Sequence, residues 1–304
     1  MEYKPLELTN DITFQRMFGK IGNENITKGF LEKILGIKID ELTLDTNKRL
    51  IGRKRDNRIG RVDVKAKLSN GTKVIIEMQV DKYEYMTKRM LYYWAENYVA
   101  DLYKGHYYDE LKKTICILIY EGKMDETEGI KEYHTKWKLL EENHPRKVFT
   151  DDIEIHVIEL SKFKEDGESR PEDNWIRLLK AKGADDMKKV SEEVEEEIQE
   201  ALKELERMEG DPKLREEYEA LEYEIREKGS RIRAALQEGI KQGIKQGMKQ
   251  GMNEGAREKE EKIIQTMNKN GMNVDDICKF TNLSKEEVEK FISKTSNQEK
   301  ENAK

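Results

Sequence analysis

Three side chains that could bind a metal or move a proton lie close together in the stretch RVDVKAKLSNGTKVIIEMQV, residues 61–80. Asp63 precedes an Asn-Gly turn, and Glu77 and Gln79 follow it. The alternation of apolar and polar residues on both sides of the turn predicts a β-hairpin. Two carboxylates that meet across a hairpin would supply the oxygen ligands that Mg²⁺ prefers. The register of the hairpin therefore decides whether such a pair exists.

Two loop lengths fit this hairpin. A two-residue loop, Asn70-Gly71, would place the apolar residues of the first arm on the same face as Glu77 and Gln79. A three-residue loop that begins at Ser69, with Gly71 in the left-handed conformation of a G1 bulge, gives one nearly uniform apolar face instead. Hydrophobic burial favours this second register, because a slip by one residue would expose a whole strand face. Asp63 and Glu77 then become directly opposed, with Cβ atoms about 5 Å apart.

Two like charges at that distance repel each other, and a divalent cation would compensate them. Such a cation can also lower the pKa of water enough to generate a hydroxide nucleophile. Gln79 lies two residues beyond Glu77 on the same face, where its amide could orient that water or a phosphate. The alternative interpretation is a solvated sheet face on which Lys65 and Lys73 balance the two acids.

The elements around the hairpin predict an α/β domain over residues 1–185. Thr9 or Asn10 can cap a first helix that ends near Gly19, and a second helix ends at Gly36. Further elements are predicted in chain order: a strand at ELTLD, a helix over 82–103, strands at KTICILIY and DIEIHVIEL, and a helix at NWIRLL. The stretch from Gly129 to Pro145, between the last two strands, is predicted to be rich in loops.

The remainder of the chain predicts an all-helical extension in three parts. Residues 186–237 form an acidic helical segment, suited to a coiled coil or a docked hairpin. Residues 238–258 repeat glycine every fourth position, as a linker or as a helix; each glycine inside a helix costs roughly 1 kcal/mol relative to alanine. Residues 259–304 predict a small helical tail, either helix-turn-helix-like or protein-contacting, because the helix KEEVEKFI is too acidic to suit a phosphate-lined groove.

Charge is distributed unevenly along the chain. The net charge is −6, but residues 191–230 alone contain sixteen acidic and six basic residues. Directly before the hairpin, NKRLIGRKRDNRIGR (residues 47–61) concentrates seven basic residues against the single acid Asp56. A solvated loop and a phosphate-binding surface are equally good interpretations of this basic run.

Composition also bears on the cellular location of the protein and on the disulfides and zinc sites that it could form. The amino terminus lacks a basic head followed by an apolar run, and no stretch approaches the roughly 20 apolar residues that would span a bilayer, so we expect a cytoplasmic protein without membrane contact. The two cysteines, Cys116 and Cys278, do not form a disulfide framework or a CxxC-type zinc motif, and the four histidines lie far apart.

The acid pair resembles the PD-(D/E)XK nuclease signature, in which one acid on a hairpin strand is followed by acid-x-Lys on the next. The variant Glu77-Met78-Gln79, with NDITFQRMFG near the start, RVDV before the turn and KRMLYYWAENY after it, resembles more closely the Rpn family of recombination-promoting nucleases. These are also described as PD-(D/E)XK transposase-like proteins. The resemblance covers residues 5 to about 180 and implies a restriction-endonuclease-like mixed central sheet flanked by helices.

The resemblance implies roles for individual residues. Asp63 and Glu77 would bind Mg²⁺, for which Mn²⁺ may substitute, and Gln79 would occupy the place of the signature lysine. Since glutamine carries no positive charge, Lys65 is expected to substitute for that lysine. Asp11 is either an outer-shell acid or a first-turn acid that favours the helix dipole. Among the arginines, Arg89 would contact DNA phosphate or pair within its helix, and Arg53, Arg58 and Arg61 would grip the DNA backbone.

Two functions therefore remain open from the sequence. The first is a Mg²⁺-dependent DNA endonuclease of low sequence specificity, linked to recombination or transposition. The second is a catalytically weak or inactive nuclease-fold protein that binds DNA and oligomerises. In both, the C-terminal helices could join copies of the chain.

Overall fold

The computed structural model describes residues 5–45, 62–80, 84–103, 107–165, 167, 169–182 and 194–301, with side chains up to residue 293. The basic run before the hairpin, including Arg53, Arg58 and Arg61, lies outside these residues. The chain forms two compact units, Met1–Glu222 and Tyr223–Lys304, which are described separately. The four-part division of the chain made from its sequence stays a prediction.

The first unit contains a mixed β-sheet. Its strands are β1 (Leu42–Leu44), β2 (Val64–Leu68), β3 (Lys73–Gln79), β4 (Thr114–Tyr120), β5 (His134–Leu140) and β6 (Val148–Glu159). They lie in the order β1-β2-β3-β4-β6-β5. The central strands β3, β4 and β6 are parallel, and the other pairs are antiparallel.

Helices cover both faces of this sheet. The first unit contains α1 (Asp11–Phe18), α2 (Glu24–Leu35), α3 (Met86–Val99), α4 (Asp173–Lys180) and α5 (Glu196–Glu209), and α6 (Pro212–Lys269) begins in it. Asn10 caps α1, since its side chain accepts a hydrogen bond from the amide of Ile12 at 3.0 Å. Helix α2 ends at Gly36, as predicted, and Gly36 adopts the left-handed conformation.

The hairpin adopts the register that the burial argument favours. Val64 faces Ile76 and Lys65 faces Ile75 across β2 and β3. Gly71 has φ +87°, which places it in the left-handed region that a three-residue loop with a G1 bulge requires. The apolar face of the hairpin packs on α1 and α2 in the larger core of the unit.

The opposite face of the hairpin is buried at Ile75 and Glu77, whereas Lys67 is exposed and Lys65 and Lys73 are partly exposed, so the alternative interpretation of a solvated face fails at Glu77. Helix α3 covers it, and Ile75, Met90 and Tyr93 belong to a second apolar cluster there. Ile75 is 1% exposed and Glu77 is 2% exposed. Glu77 therefore lies under helix α3 and is shielded from solvent.

Two elements differ from their predictions. Strand β5 falls in the stretch predicted to be rich in loops, because its sequence HTKWKLL is mostly exposed and joins the sheet edge through backbone pairing with β6. Helix α3 begins at Met86 and ends at Val99, and so is shorter than the predicted helix over 82–103.

Helix α5 packs into the core of the first unit, with Ile198, Ala201, Leu205 and Met208 buried.

The second unit is helical. It contains the rest of α6, then α7 (Val274–Thr281) and α8 (Lys285–Glu301), around a small core of Ile264, Ile277, Val288 and Phe291. Asn273 caps α7, and Ser284 forms the predicted capping box with Glu287. The glycine repeat of residues 238–258 is helical within α6. Across the described parts of both units, no helix combines the length and the apolar character needed to cross a membrane.

Candidate active site

Asp63 and Glu77 come together at the end of the hairpin that lies away from the turn. Asp63 stands directly before β2, and its Oδ2 accepts a hydrogen bond from the backbone amide of Met78 at 2.8 Å. Glu77 lies one residue earlier than Met78 on β3. The Asp63 side chain thus continues the strand pairing where the regular ladder ends, and this fixes its carboxylate beside that of Glu77.

Helix α1 supplies a second partner for Asp63. Gln15 donates from Nε2 to Asp63 Oδ1 at 2.8 Å, so both carboxylate oxygens of Asp63 are hydrogen-bonded. Asp11 lies one helical turn before Gln15 on the same face of α1, and its charge raises the pKa of Asp63. The structure therefore places Asp11 near enough to the acid pair for its charge to act on both carboxyl groups.

Arg89 on α3 is the basic partner of Glu77. Its Nη2 pairs with Glu77 Oε1, and its Nη1 donates to Gln79 Oε1 at 3.0 Å. Its Nε donates to the hydroxyl of Tyr93 at 2.7 Å. One arginine thus links Glu77, Gln79 and the helix that covers them.

The other carboxylate oxygen of Glu77 is unsatisfied. Glu77 Oε2 is buried and has no hydrogen-bond partner within the described part of the chain. A buried carboxylate oxygen without a partner loses several kcal/mol of hydration, so native structures rarely leave one unpaired unless another group binds there.

Burial and charge act together on the acids. Burial, with the charge of Asp11, raises the pKa of Asp63 to about 7 against the hydrogen bonds from Met78 and Gln15. Burial and the charge of Asp63 raise the pKa of Glu77 to about 9, although Arg89 opposes the rise. Burial alone would lower the pKa of Arg89, but the charge of Glu77 raises it. The pair therefore resists double ionisation unless further positive charge reaches it.

Lys65 lies on the predicted strand but away from direct contact with the acids. It faces Ile75 across the hairpin. Among the residues described, its ammonium takes part in no ion pair or hydrogen bond. The largest electrostatic influences on Asp63 and Glu77 include Asp11 and Arg89 but not Lys65.

A family model described as PD-(D/E)XK nuclease family transposase matches residues 8–235. The chain belongs to this family. Neither a curated protein nor a solved structure matched the chain.

Membership of the PD-(D/E)XK nuclease family transposases agrees with the architecture of the first unit. Its mixed six-stranded sheet, flanked by helices and followed by a long helix, is consistent with a restriction-endonuclease-like fold. The family indicates a nuclease or transposition-related function and implies DNA as substrate. Nucleases of this family generally use divalent metals.

The residues of this chain fit a divalent cation of the Mg²⁺ type. In the ranges that the structure describes, no group of three or more histidine, cysteine or acidic side chains is arranged to hold a metal. Mg²⁺ needs no such group, since one or two carboxylates with waters and phosphate oxygens complete its octahedron. Asp63 and Glu77 provide two carboxylates, and Glu77 Oε2, which no described residue hydrogen-bonds, provides an oxygen that could coordinate the cation.

The sequence singled out Asp63, Glu77 and Gln79, which the structure brings together, but it did not single out Gln15. The i, i+4 spacing of Asp11 and Gln15 in NDITFQRMFG was the available signal for Gln15, because it puts both side chains on one helix face. For Arg89, the structure combines the predicted pairing with Tyr93 and a contact to Glu77 that was not predicted.

Proposed function

We propose that this protein is a Mg²⁺-dependent DNA endonuclease. The observation that carries the proposal is the Asp63–Glu77 pair: two adjacent carboxylates, both with raised pKa, and one buried oxygen that has no partner among the described residues. A divalent cation there would offset the repulsion and satisfy the oxygen. Mn²⁺ is expected to substitute, since it also prefers oxygen ligands.

The reaction is hydrolysis of a phosphodiester. A water oxygen bonds to phosphorus and one P–O bond to a sugar breaks; one water proton ends on the departing sugar oxygen and the other on the new phosphate monoester or in solvent. The cation, when bound, would supply positive charge that activates the water and stabilises the phosphate. Asp63 and Glu77 would hold it, and the Gln79 amide would orient the water or the phosphate.

Other residues have supporting roles in this proposal. Gln15 holds Asp63 in position through its hydrogen bond, and Asp11 acts as an outer acid beside the pair. Lys65 is one source of positive charge for the phosphate. The arginines of the basic run, Arg53, Arg58 and Arg61, would hold the DNA backbone without reading bases, so we expect low sequence specificity. A role in recombination or transposition and a cytoplasmic location are part of the same proposal.

Plasmid nicking tests the assignment of the acid pair. Purified protein with Mg²⁺ should nick supercoiled plasmid, and Asp63→Ala should lower the rate by at least 100-fold because one cation ligand is lost. Asp40→Asn is the matched control, since Asp40 is an exposed acid outside the site. Equal nicking by Asp63→Ala and the wild type would remove Asp63 from the chemistry.

Calorimetric titration with Mn²⁺ tests the metal site without relying on turnover. The wild type should bind the ion, whereas Asp63→Ala and Glu77→Gln should bind it at least tenfold more weakly. Binding that is the same in all three proteins would place the ion elsewhere.

The second candidate is a nuclease-fold protein that binds DNA and assembles with copies of itself but does not cut. The observation that favours it is a row of exposed apolar side chains every fourth residue on α6: Ile240 (54% exposed), Ile244 (59%), Met248 (67%) and Met252 (75%). Apolar rows of this kind commonly mark contacts between proteins. This candidate predicts salt-dependent DNA binding with no Mn²⁺ bound at Asp63 and Glu77.

A further inference from the structure

The position of Gln79 leaves the proposed site without the positive charge that a lysine would supply there. Gln79 ends β3, two residues after Glu77 and on the same sheet face. Its Oε1 accepts a hydrogen bond from Arg89 Nη1 at 3.0 Å. The guanidinium of Arg89 therefore lies where a lysine side chain at position 79 would carry its ammonium.

The same guanidinium also reaches the acid pair. Arg89 Nη2 is paired with Glu77 Oε1. The side chain of Arg89 is about one quarter exposed, against 3% for Glu77. Arg89 thus touches the buried acid while part of it remains accessible from outside.

Contacts along α3 hold Arg89 in this position. Its Nε donates to the Tyr93 hydroxyl one turn later, and the guanidinium lies 5.3 Å from the centre of the Tyr93 ring. Met86 and Met90, which flank Arg89 on α3, are buried in the apolar cluster under the helix. A side chain fixed by such contacts loses less entropy when it engages a phosphate.

We propose that Arg89 contacts the scissile phosphate and supplies the positive charge that position 79 lacks. The inference rests on the proposed nuclease function and makes Arg89, rather than Lys65, the main source of that charge. A guanidinium carries five N–H donors, so it can keep a protein acceptor while it donates to phosphate oxygens. Its charge would stabilise the negative charge that builds up on the phosphate in the transition state.

Kinetics of four single variants test this assignment. Arg89→Met should lower kcat about 100-fold, the typical loss for one preorganised donor, and Arg89→Lys should lower it less. Lys88→Met should change kcat less than threefold, and Lys65→Met should lower it less than Arg89→Met does. Lys88 is the matched control, because it is an exposed neighbour on α3 that contacts Tyr85 rather than the acid pair. A loss in Lys65→Met equal to or larger than that in Arg89→Met would overturn the proposal.

A relocation variant separates the charge from the folding role of Arg89. In Arg89→Met combined with Gln79→Lys, the positive charge returns at position 79 and Glu77 regains a basic partner. We expect kcat at least tenfold above that of Arg89→Met alone. If the double variant is folded by circular dichroism but gains nothing, Arg89 has a structural role only and the proposal fails.

DNA-binding measurements test the contact between Arg89 and phosphate independently of DNA cleavage. Anisotropy titrations of labelled DNA at several salt concentrations should show that Arg89→Met lowers the slope of log Kd against log salt by about 0.9, the value for one lost phosphate contact. Lys88→Met should leave the slope unchanged. If the wild type does not cut DNA, the nuclease proposal fails, and the slope then decides alone: a drop supports the phosphate contact and no drop overturns it.

Discussion

Asp63 and Glu77 occupy surroundings that oppose their ionisation, and this has a consequence for stability. Both have a pKa above the ordinary values of 3.8 and 4.5, Asp63 at about 7 and Glu77 at about 9. Between about pH 4 and pH 9 these two acids therefore bind more protons in the folded protein than in the unfolded chain. Their contribution to the free energy of unfolding falls as pH rises through this window.

Asp63→Asn should stabilise the metal-free protein at alkaline pH. An asparagine can still accept from the Met78 amide and, after a flip of the Gln15 amide, donate to Gln15. We expect about 2 kcal/mol of added stability at pH 8, less than the roughly 4 kcal/mol that a shift of about three units implies, because Asp63 is partly exposed. Urea unfolding at pH 8 and pH 5 measures it.

The gain should shrink at pH 5, where the folded wild type is already protonated at Asp63. Asp40→Asn should show no such difference between the two pH values. Mg²⁺ should stabilise the wild type more than Asp63→Asn at pH 8. A variant that is less stable than the wild type at pH 8 would contradict the raised pKa of Asp63.

At the scale of elements, β6 carries a buried ionic cluster away from the acid pair. Glu154 is hydrogen-bonded to Nε2 of His156 at 2.8 Å and pairs with Lys113 at 2.8 Å and Lys136 at 3.0 Å. The bond from His156, with those from the two lysines, holds the pKa of Glu154 well below its usual range, although burial opposes this. The cluster ties β5 and the start of β4 to β6.

Glu154→Gln should therefore destabilise the protein at neutral pH. We expect a loss of about 3 kcal/mol in the free energy of unfolding at pH 7, because the lysines lose their buried counter-charge. Since the folded pKa of Glu154 is depressed, its contribution is complete above about pH 4.5 and is lost as pH falls below that value. Urea unfolding from pH 7 to pH 3 should show a steeper acid loss in the wild type than in Glu154→Gln.

Asp151→Asn is the control for this cluster, since Asp151 is an exposed acid on the same strand. It should change stability by less than 0.5 kcal/mol. Parallel pH curves for the wild type and Glu154→Gln would rule out the depressed pKa.

The packing of α2 on α5 depends on a glycine. A Cβ at Gly29 would lie 2.6 Å from both Cβ and Cγ of Glu197 on α5 and 3.3 Å from Cζ2 of Trp175. Gly29→Ala should therefore lower the free energy of unfolding by about 2 kcal/mol, although alanine is the better helix former. Thermal unfolding measures this change. An unchanged or raised melting temperature would show that α2 and α5 can move apart without a loss of stability.

At the scale of the whole molecule, the glycine repeat of α6 differs from Gly29, because its glycines have room for a larger side chain. A Cβ at Gly243 or Gly247 would meet nothing within 4 Å among the described residues. Gly243→Ala with Gly247→Ala should raise the stability of α6 by about 1 kcal/mol for each substitution. Helix content by circular dichroism during heating measures the change.

The same double variant reports on self-association. If the glycines allow two copies of α6 to approach closely, the two methyl groups should weaken that assembly while they strengthen the helix. Sedimentation equilibrium of the wild type and the variant separates the effects. Identical association in both proteins would show that the glycines are not at a contact between copies.

Local patterns in the sequence determined the hairpin and the helix ends. The register of Val64 against Ile76 followed from burial alone, because each slip by one residue turns every side chain of a strand to the other face. The cap at Asn10 and the box of Ser284 with Glu287 followed from side-chain chemistry within four residues. The strands β4 and β6 were marked by their apolar runs.

Only the tertiary structure decided which groups meet the acid pair. Gln15 reaches Asp63 across 48 residues, and Arg89 reaches Glu77 from a separate helix. These contacts depend on how α1 and α3 dock on the sheet, and no short-range periodicity encodes a docking position. Strand β5 was hidden for a different reason: although it pairs with the next strand, β6, its own side chains carry almost no buried apolar pattern. The sequence by itself thus determined that two acids oppose each other, and long-range packing decided the partners and the burial that set their chemistry.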